Sequence, residues 1–227
     1  ATIPHHAGSM ANSPAGSVYA WPWTADSKEA AHGAAQWNEL SPTDLLSWMS
    51  KAGRRYTAVD TDWLQSAGNI DTLSYMPDLL LVRGPEDIHS IASLYDTWKP
   101  LGLIGSTSWV ATNSPHRDDI LRAILEGRAN PSTGPQIALT VDGSSPGDDA
   151  SNWPETLPTE RVAEVDLAVP GDIETIQLIG PGAEPLFSWT PDELPASVNL
   201  PDLPWVMAFA EGENDWSMTG AIWLQRP

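Results

Sequence analysis

The hydrophobic pattern of the chain changes its period near residue 130. Before that residue, short apolar runs alternate with segments in which apolar residues recur at helical spacing. After it, apolar and polar residues alternate one by one between turns that contain Pro and Gly, which is typical of half-buried antiparallel strands. We therefore expect two domains, an α/β unit over residues 1–130 and an acidic β-sandwich over residues 131–227.

The balance of acidic and basic residues also changes near residue 130. Residues 1–130 contain 14 acidic and 9 basic residues, whereas residues 131–227 contain 16 acidic and 2 basic residues. Most of the net charge of −19 therefore belongs to the second part. Such a chain lacks the clusters of Lys and Arg that bind phosphate, which argues against a nucleic-acid-binding role and against docking on an anionic membrane.

Two absences in the sequence narrow the class of protein. The chain has no Cys, so a disulfide framework, a thiolate metal site and a thiol nucleophile are excluded. No apolar run reaches the ~20 residues that a membrane-spanning helix needs. Because the chain starts at Ala1 without a leader, we expect either a secreted or periplasmic protein whose signal peptide was removed, or a fragment of a longer chain.

The first part predicts short buried strands separated by helices. Apolar runs predict strands over 56–59, 79–82 and 101–104, and helical spacing predicts helices over 41–53, 86–98 and 117–126. The first of these strands ends at Asp60. This pattern indicates a parallel sheet with helices, here a reduced or partial barrel, in which polar residues just after each strand face the site.

The second part predicts strands only. Alternating residues place strands around 137–142, 165–169, 176–178, 205–209 and 220–224. The sequence Asp-Gly-Ser-Ser-Pro-Gly over 142–147 has the residue types of a surface turn. Short strands that are separated by Pro and Gly, with no helical segment between them, predict a small antiparallel β-sandwich.

The stretch from Ser114 to Asp148 resembles part of a known family. A helix ending in Ala-Ile-Leu-Glu-Gly-Arg leads through Gly134-Pro135 into a strand, and the turn Gly-Ser-Ser-Pro-Gly-Asp follows over 143–148. This order resembles the C-terminal portion of PHP-type metallohydrolases of the CehA/McbA, carbaryl-hydrolase-like branch. There a similar turn leads into an appended β-sandwich. The resemblance implies that Gly134 marks the entry to the sandwich, with a backbone conformation closed to other residues.

The resemblance also implies a metal site. The family uses His and carboxylate side chains at strand ends to hold two or three divalent metals, which activate water for ester hydrolysis. His5 and His6 stand where the family has such a strand end, and Asp60 and Asp62 follow another strand. These four residues are the candidate metal ligands that the resemblance assigns.

Other positions depart from the pattern of the family. The opening His-x-His strand is absent, and the Asp-x-His pair has Leu64 in place of its His when Asp62 is its first member. In the alternative register, Thr107 and Trp109 replace both ligands, and Trp109 would fill the space above the strand ends. The site implied is degenerate and holds no metal, or one weakly bound Zn, Mn or Fe ion.

Three functions from different classes remain open. In the first, a degenerate PHP-like protein acts as a binding or structural module, and the missing His-x-His strand favours this function. In the second, the chain is part of a divalent-metal-dependent phosphoesterase or related ester hydrolase. Its missing ligands then lie on residues N-terminal to Ala1, or on another protein chain that completes the α/β unit. In the third, some of the 12 Trp residues form an exposed surface that binds carbohydrate.

Overall fold

The computed structural model describes residues 9–13, 16–21, 56–61, 78–97, 102–105, 107–148 and 161–224. The chain forms two compact units, Ala1–Leu81 and Val82–Pro227. The domain boundary expected between residues 130 and 131 falls within the second unit. The helix expected over 41–53 lies outside the described residues.

The first unit is built on a sheet that contains both kinds of strand pairing. Its strands follow one another in space as in sequence: β1 (Ser9–Ser13), β2 (Gly16–Trp21), β3 (Tyr56–Asp60) and β4 (Leu79–Val82). The first three strands pair antiparallel, with Val18 opposite Val59, whereas β3 and β4 pair parallel, with Ala58 opposite Leu79. The strands expected over 56–59 and 79–82 are confirmed; β1 and β2 were not expected.

The second unit begins with two of the predicted helices. A 3-10 turn (Pro85–Asp87) leads into α1 (Ile88–Thr97), and α2 spans Arg117–Leu125. The amide of Arg83 donates to Asp87 Oδ2 at 2.7 Å, so the carboxylate satisfies a backbone donor just before the helix. On α1, Ile91 and Tyr95 are buried at a spacing of one helical turn. Strand β5 (Gly102–Gly105) confirms the run expected at 101–104.

The end of α2 is a glycine cap. Gly127 has φ +80°, its amide donates to the carbonyl of Ile124 at 3.0 Å, and the amide of Arg128 donates to the carbonyl of Ala123 at 2.9 Å. These two bonds form the Schellman motif, which needs a residue in the left-handed conformation at the position that Gly127 occupies. The sequence signal for this helix end is thus confirmed in its detailed geometry.

Two antiparallel sheets make up the rest of the second unit. One has the strand order β12-β9-β8, and the other has the order β11-β10-β13-β14, with β15 paired to β13. The strands are β8 (Gln136–Val141), β9 (Arg161–Val169), β10 (Thr175–Ile179), β11 (Pro185–Trp189), β12 (Ala196–Leu200), β13 (Trp205–Glu211), β14 (Trp216–Met218) and β15 (Ile222–Trp223). Strands β11, β12 and β14 were not expected, and short 3-10 turns at Pro181–Ala183 and Pro191–Glu193 interrupt the region that was expected to hold strands only.

The two sheets share one apolar core. On β8 and β9 the alternation seen in the sequence puts every second side chain inside. The buried members of the core are Ile137, Leu139, Val141, Ala163, Val165, Ile173, Ile176, Leu178, Leu200, Leu203, Val206, Ala208, Ala210, Ile222 and Leu224. Fully burying one such aliphatic side chain contributes roughly 1.5–3 kcal/mol, so this cluster accounts for much of the stability of the unit.

Strand β13 is buried on both of its faces. Val206, Ala208 and Ala210 belong to the core between the sheets, and Trp205 on the opposite face contacts Tyr95 of α1. Every residue from Trp205 to Ala210 is buried. Large and small apolar residues alternate along this strand in the sequence. This alternation does not separate a buried face from an exposed one, because both faces are buried.

A short hairpin joins the helical segment to the sheets. Strands β6 (Ser108–Val110) and β7 (Ala129–Pro131) pair antiparallel. Beyond β7, the amide of Trp216 donates to Thr133 Oγ1 at 2.9 Å, and the amide of Thr133 donates to the carbonyl of Trp216 at 3.0 Å. The link from α2 to the sandwich is thus fixed by reciprocal hydrogen bonds to β14.

The expectation for Gly134 is wrong. Its φ lies outside the left-handed region, and a Cβ added to it would have no atom within 4 Å. Among the described residues, the glycines that have a positive φ are Gly127, Gly143, Gly147 and Gly182. The passage into the sandwich is therefore fixed by hydrogen bonds of Ser132 and Thr133 rather than by a special conformation at Gly134.

In its described residues the molecule is mostly β, with antiparallel sheets, one parallel strand pair and helices. None of the helices in these ranges is long and apolar enough to cross a membrane.

Substituting Ala for Gly147 tests the backbone geometry of the turn that follows β8. Gly147 has φ +82°, and an added Cβ would overlap the carbonyl oxygen of Glu126. We expect Gly147→Ala to lower the free energy of unfolding by about 2 kcal/mol or more, and Gly134→Ala to change it by less than about 0.5 kcal/mol. Urea denaturation of both variants measures the difference, and equal losses would contradict the assignment.

Candidate functional site

Of the four candidate metal ligands, only Asp60 lies among the described residues. It ends β3, next to the parallel strand β4, and is fully buried. His5, His6 and Asp62 lie outside the described residues, so the expected cluster stays a prediction. Within the described ranges, no group of three or more His, Asp or Glu residues is placed to hold a metal ion. His89 and His116 are exposed.

Trp109 has a structural role at the surface of the β6–β7 hairpin. Its indole Nε1 donates to the carbonyl oxygens of Gly134 and Pro135, at 3.2 and 3.1 Å. The side chain is 39% exposed, which is the largest exposure of a large apolar side chain in the described residues. The ring therefore anchors the turn that follows β7.

A cavity of about 120 Å³ lies in the second unit, between the end of α2, the turn after β8 and the C-terminal strand β15. Its lining residues come from distant parts of the sequence: Tyr95, Glu126, Gly127, Ser144, Ser145, Gly147, Asp148, Gly220, Ala221, Ile222 and Trp223. Glu126, Ser145 and Asp148 are exposed, so the cavity opens to solvent on their side.

The turn that lines this cavity consists of two consecutive tight turns. Asp142 and Gly143 both have positive φ, 49° and 81°, and Val141 and Ser144 exchange two backbone hydrogen bonds of 2.9 Å across them. Positive φ at both central residues defines a type I′ hairpin turn, for which Asp-Gly is a preferred sequence. The second turn, Ser145 to Asp148, has Pro146 and Gly147 at its centre and closes with the Asp148 amide donating to the Ser145 carbonyl at 3.0 Å.

Glycines allow three backbone segments to meet at the cavity. A Cβ on Gly147 would overlap the Glu126 carbonyl, and a Cβ on Gly220 would come within 2.7 Å of the Gly127 carbonyl oxygen. The Cα of Gly147 lies 3.7 Å from the position of a Cβ on Gly127. The contacts at Gly147 and Gly220 are too short for a Cβ, whereas Gly127 is required by its φ of +80° rather than by close packing.

Aromatic side chains form the floor of the cavity. The Tyr95 ring packs edge-on against Trp205 and Trp223, with centroid distances of 5.5 and 5.9 Å. Edge-to-face pairs of this kind contribute about 0.5–1.5 kcal/mol beyond the area they bury. The aromatic cluster therefore fixes both Tyr95 and Trp223 in the cavity wall.

Two hydrogen-bond donors of this cluster are buried without an acceptor. Neither Tyr95 Oη nor Trp223 Nε1 has a hydrogen-bond partner among the described residues. Burial raises the pKa of the Tyr95 hydroxyl well above its usual range, and the nearby backbone of Ala221 opposes this shift to a lesser extent. Tyr95 thus stays protonated at neutral pH.

Acceptor oxygens stand at the mouth of the same cavity. Arg128 binds Glu126 through Oε2, and the Ser145 amide donates to Asp148 Oδ2 at 2.6 Å. The other oxygens, Glu126 Oε1 and Asp148 Oδ1, accept no hydrogen bond from a described residue. The exposed lining residues of the cavity therefore include two carboxylates.

The sequence predicted a helix over 86–98, which contains Tyr95, and a strand around 220–224, which contains Trp223, without joining the two residues into a site. The sequence did indicate the local backbone structure, because Gly127 follows the helix predicted over 117–126 and the Pro-Gly pair at 146–147 lies in the predicted surface turn. The meeting of these turns with Gly220 and Tyr95 depends on contacts that are far apart in sequence.

Comparison of the chain with protein-family models, with curated proteins and with solved structures gave no match.

Removing the hydroxyl of Tyr95 tests whether it lacks a partner in the protein. Tyr95→Phe keeps the ring, so we expect a free energy of unfolding that is unchanged or raised, by up to about 1–3 kcal/mol, because a buried unpaired polar group is costly. Thr219→Val is the matched control: Thr219 is fully buried and its Oγ1 accepts from the Ala208 amide at 3.0 Å. That variant should lose about 1–3 kcal/mol. A comparable loss in Tyr95→Phe, measured by urea denaturation, would contradict the geometry.

The raised pKa of Tyr95 predicts an alkaline loss of stability. The hydroxyl ionises near pH 10 in the unfolded chain and only at higher pH in the folded one, so above pH 10 the unfolded state holds fewer protons. The free energy of unfolding then falls by about 1.4 kcal/mol per pH unit for this one group. Subtracting the pH profile of Tyr95→Phe from that of the wild type isolates this slope from the other Tyr residues. Identical profiles would refute it.

Proposed function

We propose that the chain is a binding module, related to PHP-type metallohydrolases, that has lost their metal centre and takes its ligand in the cavity next to Tyr95. The observation that carries this proposal is a cavity of about 120 Å³ that opens to solvent and has Tyr95 and Trp223 among its lining residues.

The position of Trp109 supports the loss of the metal centre. In one register of the family pattern, Trp109 stands where a metal ligand is expected, and an indole is no ligand for Zn, Mn or Fe. Its Nε1 is engaged by the carbonyls of Gly134 and Pro135. The position therefore contributes packing and turn geometry where the family would place coordination chemistry.

The assignment of the fold to a reduced barrel with an appended β-sandwich belongs to the same proposal. The parallel pair β3–β4 and the helices α1 and α2 would be what remains of a barrel that has been reduced, and the two antiparallel sheets would be the appended sandwich of the family. A secreted or periplasmic location, for which the acidic surface is suitable, is part of this proposal too.

A second candidate function rests on Asp60. This carboxylate is fully buried at the carboxyl end of a strand in a parallel pair, which is where folds with parallel strands place their chemistry. With His5, His6 and Asp62 it would form one weak divalent-metal site. A partner chain that supplied the missing ligands would then complete a phosphoesterase or a related ester hydrolase.

Activity and metal content decide between the two functions. For the purified full chain we expect less than one equivalent of Zn, Mn or Fe by mass spectrometry, and no turnover of an aryl phosphate above the buffer rate with Mn or Zn added. Turnover that is lost in the double variant His5→Ala, His6→Ala would support the hydrolase and contradict the binding module. The control is the double variant His89→Ala, His116→Ala, whose side chains are exposed and should leave any turnover unchanged.

A further inference from the structure

Strand β12 lies at the edge of its three-stranded sheet. It pairs with β9 on one side, and among the described residues no strand pairs with its other side. The strand has no charged residue from Ala196 to Leu200, although charged side chains are a common means by which proteins prevent further pairing at an exposed edge. The free edge of β12 is therefore open to one more strand.

The hydrogen bonds of β9 show how its backbone groups alternate between its two neighbours. The amide of Asp142, at the end of β8, donates to the carbonyl of Val162 at 3.0 Å, and the amide of Val162 donates to Asp142 Oδ1 at 3.0 Å. The amide and carbonyl of Val162 therefore point away from β12. Because these groups point to opposite sides at successive residues of a strand, those of Ala163 point toward β12.

The same alternation places the outward groups of β12 on Ser197 and Asn199. Val198 lies opposite Ala163 and shares its hydrogen bonds, so the residues on either side of Val198 direct their amides and carbonyls to the free edge. No described residue forms a hydrogen bond with these groups of Ser197 or Asn199. The edge thus offers two donors and two acceptors, in the arrangement that an extended peptide needs to add as a strand.

The core of the sandwich is partly uncovered on this side. The apolar side chains that pack against the core and stay partly exposed all belong to β11, to β12 or to the segment between them: Leu186, Phe187, Trp189, Leu194 and Val198. A strand added next to β12 would place every second side chain beside Val198, on the inner face of the sheet. Apolar residues at those positions would remove more of this surface from water.

The outer face of the same sheet is acidic. Glu164 lies opposite Ser197, and both Glu164 and Asp166 are exposed. The basic residues after residue 130 are Arg161, which is buried, and Arg226, which lies outside the described residues. Neighbouring strands are about 4.8 Å apart, so a Lys or Arg side chain that stands beside Ser197 on an added strand reaches the carboxylate of Glu164. An acidic side chain at that position would be repelled.

We propose that β12 binds an extended segment of another protein as an additional strand, and that apolar residues alternate with Lys or Arg in this segment. Its backbone pairs with Ser197 and Asn199, its apolar side chains lie beside Val198, and its basic side chains face Glu164. The surface shares no residue with the cavity next to Tyr95. The inference therefore goes beyond the proposed function and does not depend on it.

Hydrogen exchange of the full chain labelled with ¹⁵N tests the geometry of the edge. In the free protein we expect fast exchange of the Ser197 and Asn199 amides and slow exchange of the Val198 amide, which is bonded to β9. The peptide acetyl-Thr-Lys-Val-Lys-Val-Lys-Thr-amide should bind saturably and slow the exchange at Ser197 and Asn199 only. The same peptide with Glu in place of each Lys is the matched control and should not bind.

Four substitutions separate backbone pairing from charge. Ser197→Pro removes an outward amide, and Pro is tolerated in an edge strand where the N–H faces solvent; we expect the affinity for the basic peptide to fall about fivefold or more. Ser197→Ala keeps the amide and should leave the affinity unchanged. Glu164→Gln should weaken binding about two- to fivefold, whereas Glu174→Gln, an exposed position just before β10 in the other sheet, should not change it.

Several results would overturn the proposal. Slow exchange at Ser197 and Asn199 in the free, dilute protein would mean that another part of the chain covers the edge, and protection that appears with rising protein concentration alone would make a second copy the occupant. Absence of saturable binding of the basic peptide, or equal binding of the acidic one, would exclude the stated partner. If Ser197→Pro does not fold, unchanged affinity in Glu164→Gln or unchanged exchange at Asn199 on peptide binding is still decisive against it.

Discussion

The close approach of three backbone segments at Gly127, Gly147 and Gly220 organises the second unit. The capped end of α2, the turn after β8 and the segment before β15 meet there at distances that no side chain permits. This contact brings the helical segment against the C-terminal strands, and Glu126 and Asp148 both line the cavity that forms there. The positions of the polar groups around the site therefore follow from backbone packing.

Burial of β13 on both faces is the second determinant. Its inner face completes the core between the two antiparallel sheets, and Trp205 on its outer face contacts Tyr95 of α1. Because β15 pairs with β13, with Trp223 opposite Trp205, the same strand also sets the position of Trp223. The aromatic cluster and its two unpaired donors are thus a consequence of one strand that lies between a helix and a core.

The site at Asp60 and the cavity next to Tyr95 differ in how many of their residues the structure describes. Asp60 is a single buried carboxylate at the end of a parallel strand, and its proposed partners lie outside the described residues. The cavity next to Tyr95 lies within one unit and is lined by acidic, Ser, Gly and aromatic residues.

The amino-acid sequence by itself determined the local structure. Periodicity predicted α1, α2, β3, β4 and most strands of the sandwich, and Gly127 and Asp142-Gly143 predicted their turns, because these signals arise from interactions between residues near in sequence. Strands β11, β12 and β14 and the backbone of Gly134 were missed or wrong, because pairing partners and hydrogen bonds from distant segments fix them. Only the tertiary structure decided that Tyr95, Trp223, Glu126 and Asp148 line one cavity. Their sequence separation leaves no periodic signal, and their donors and acceptors become a site only once packing has removed them from other partners.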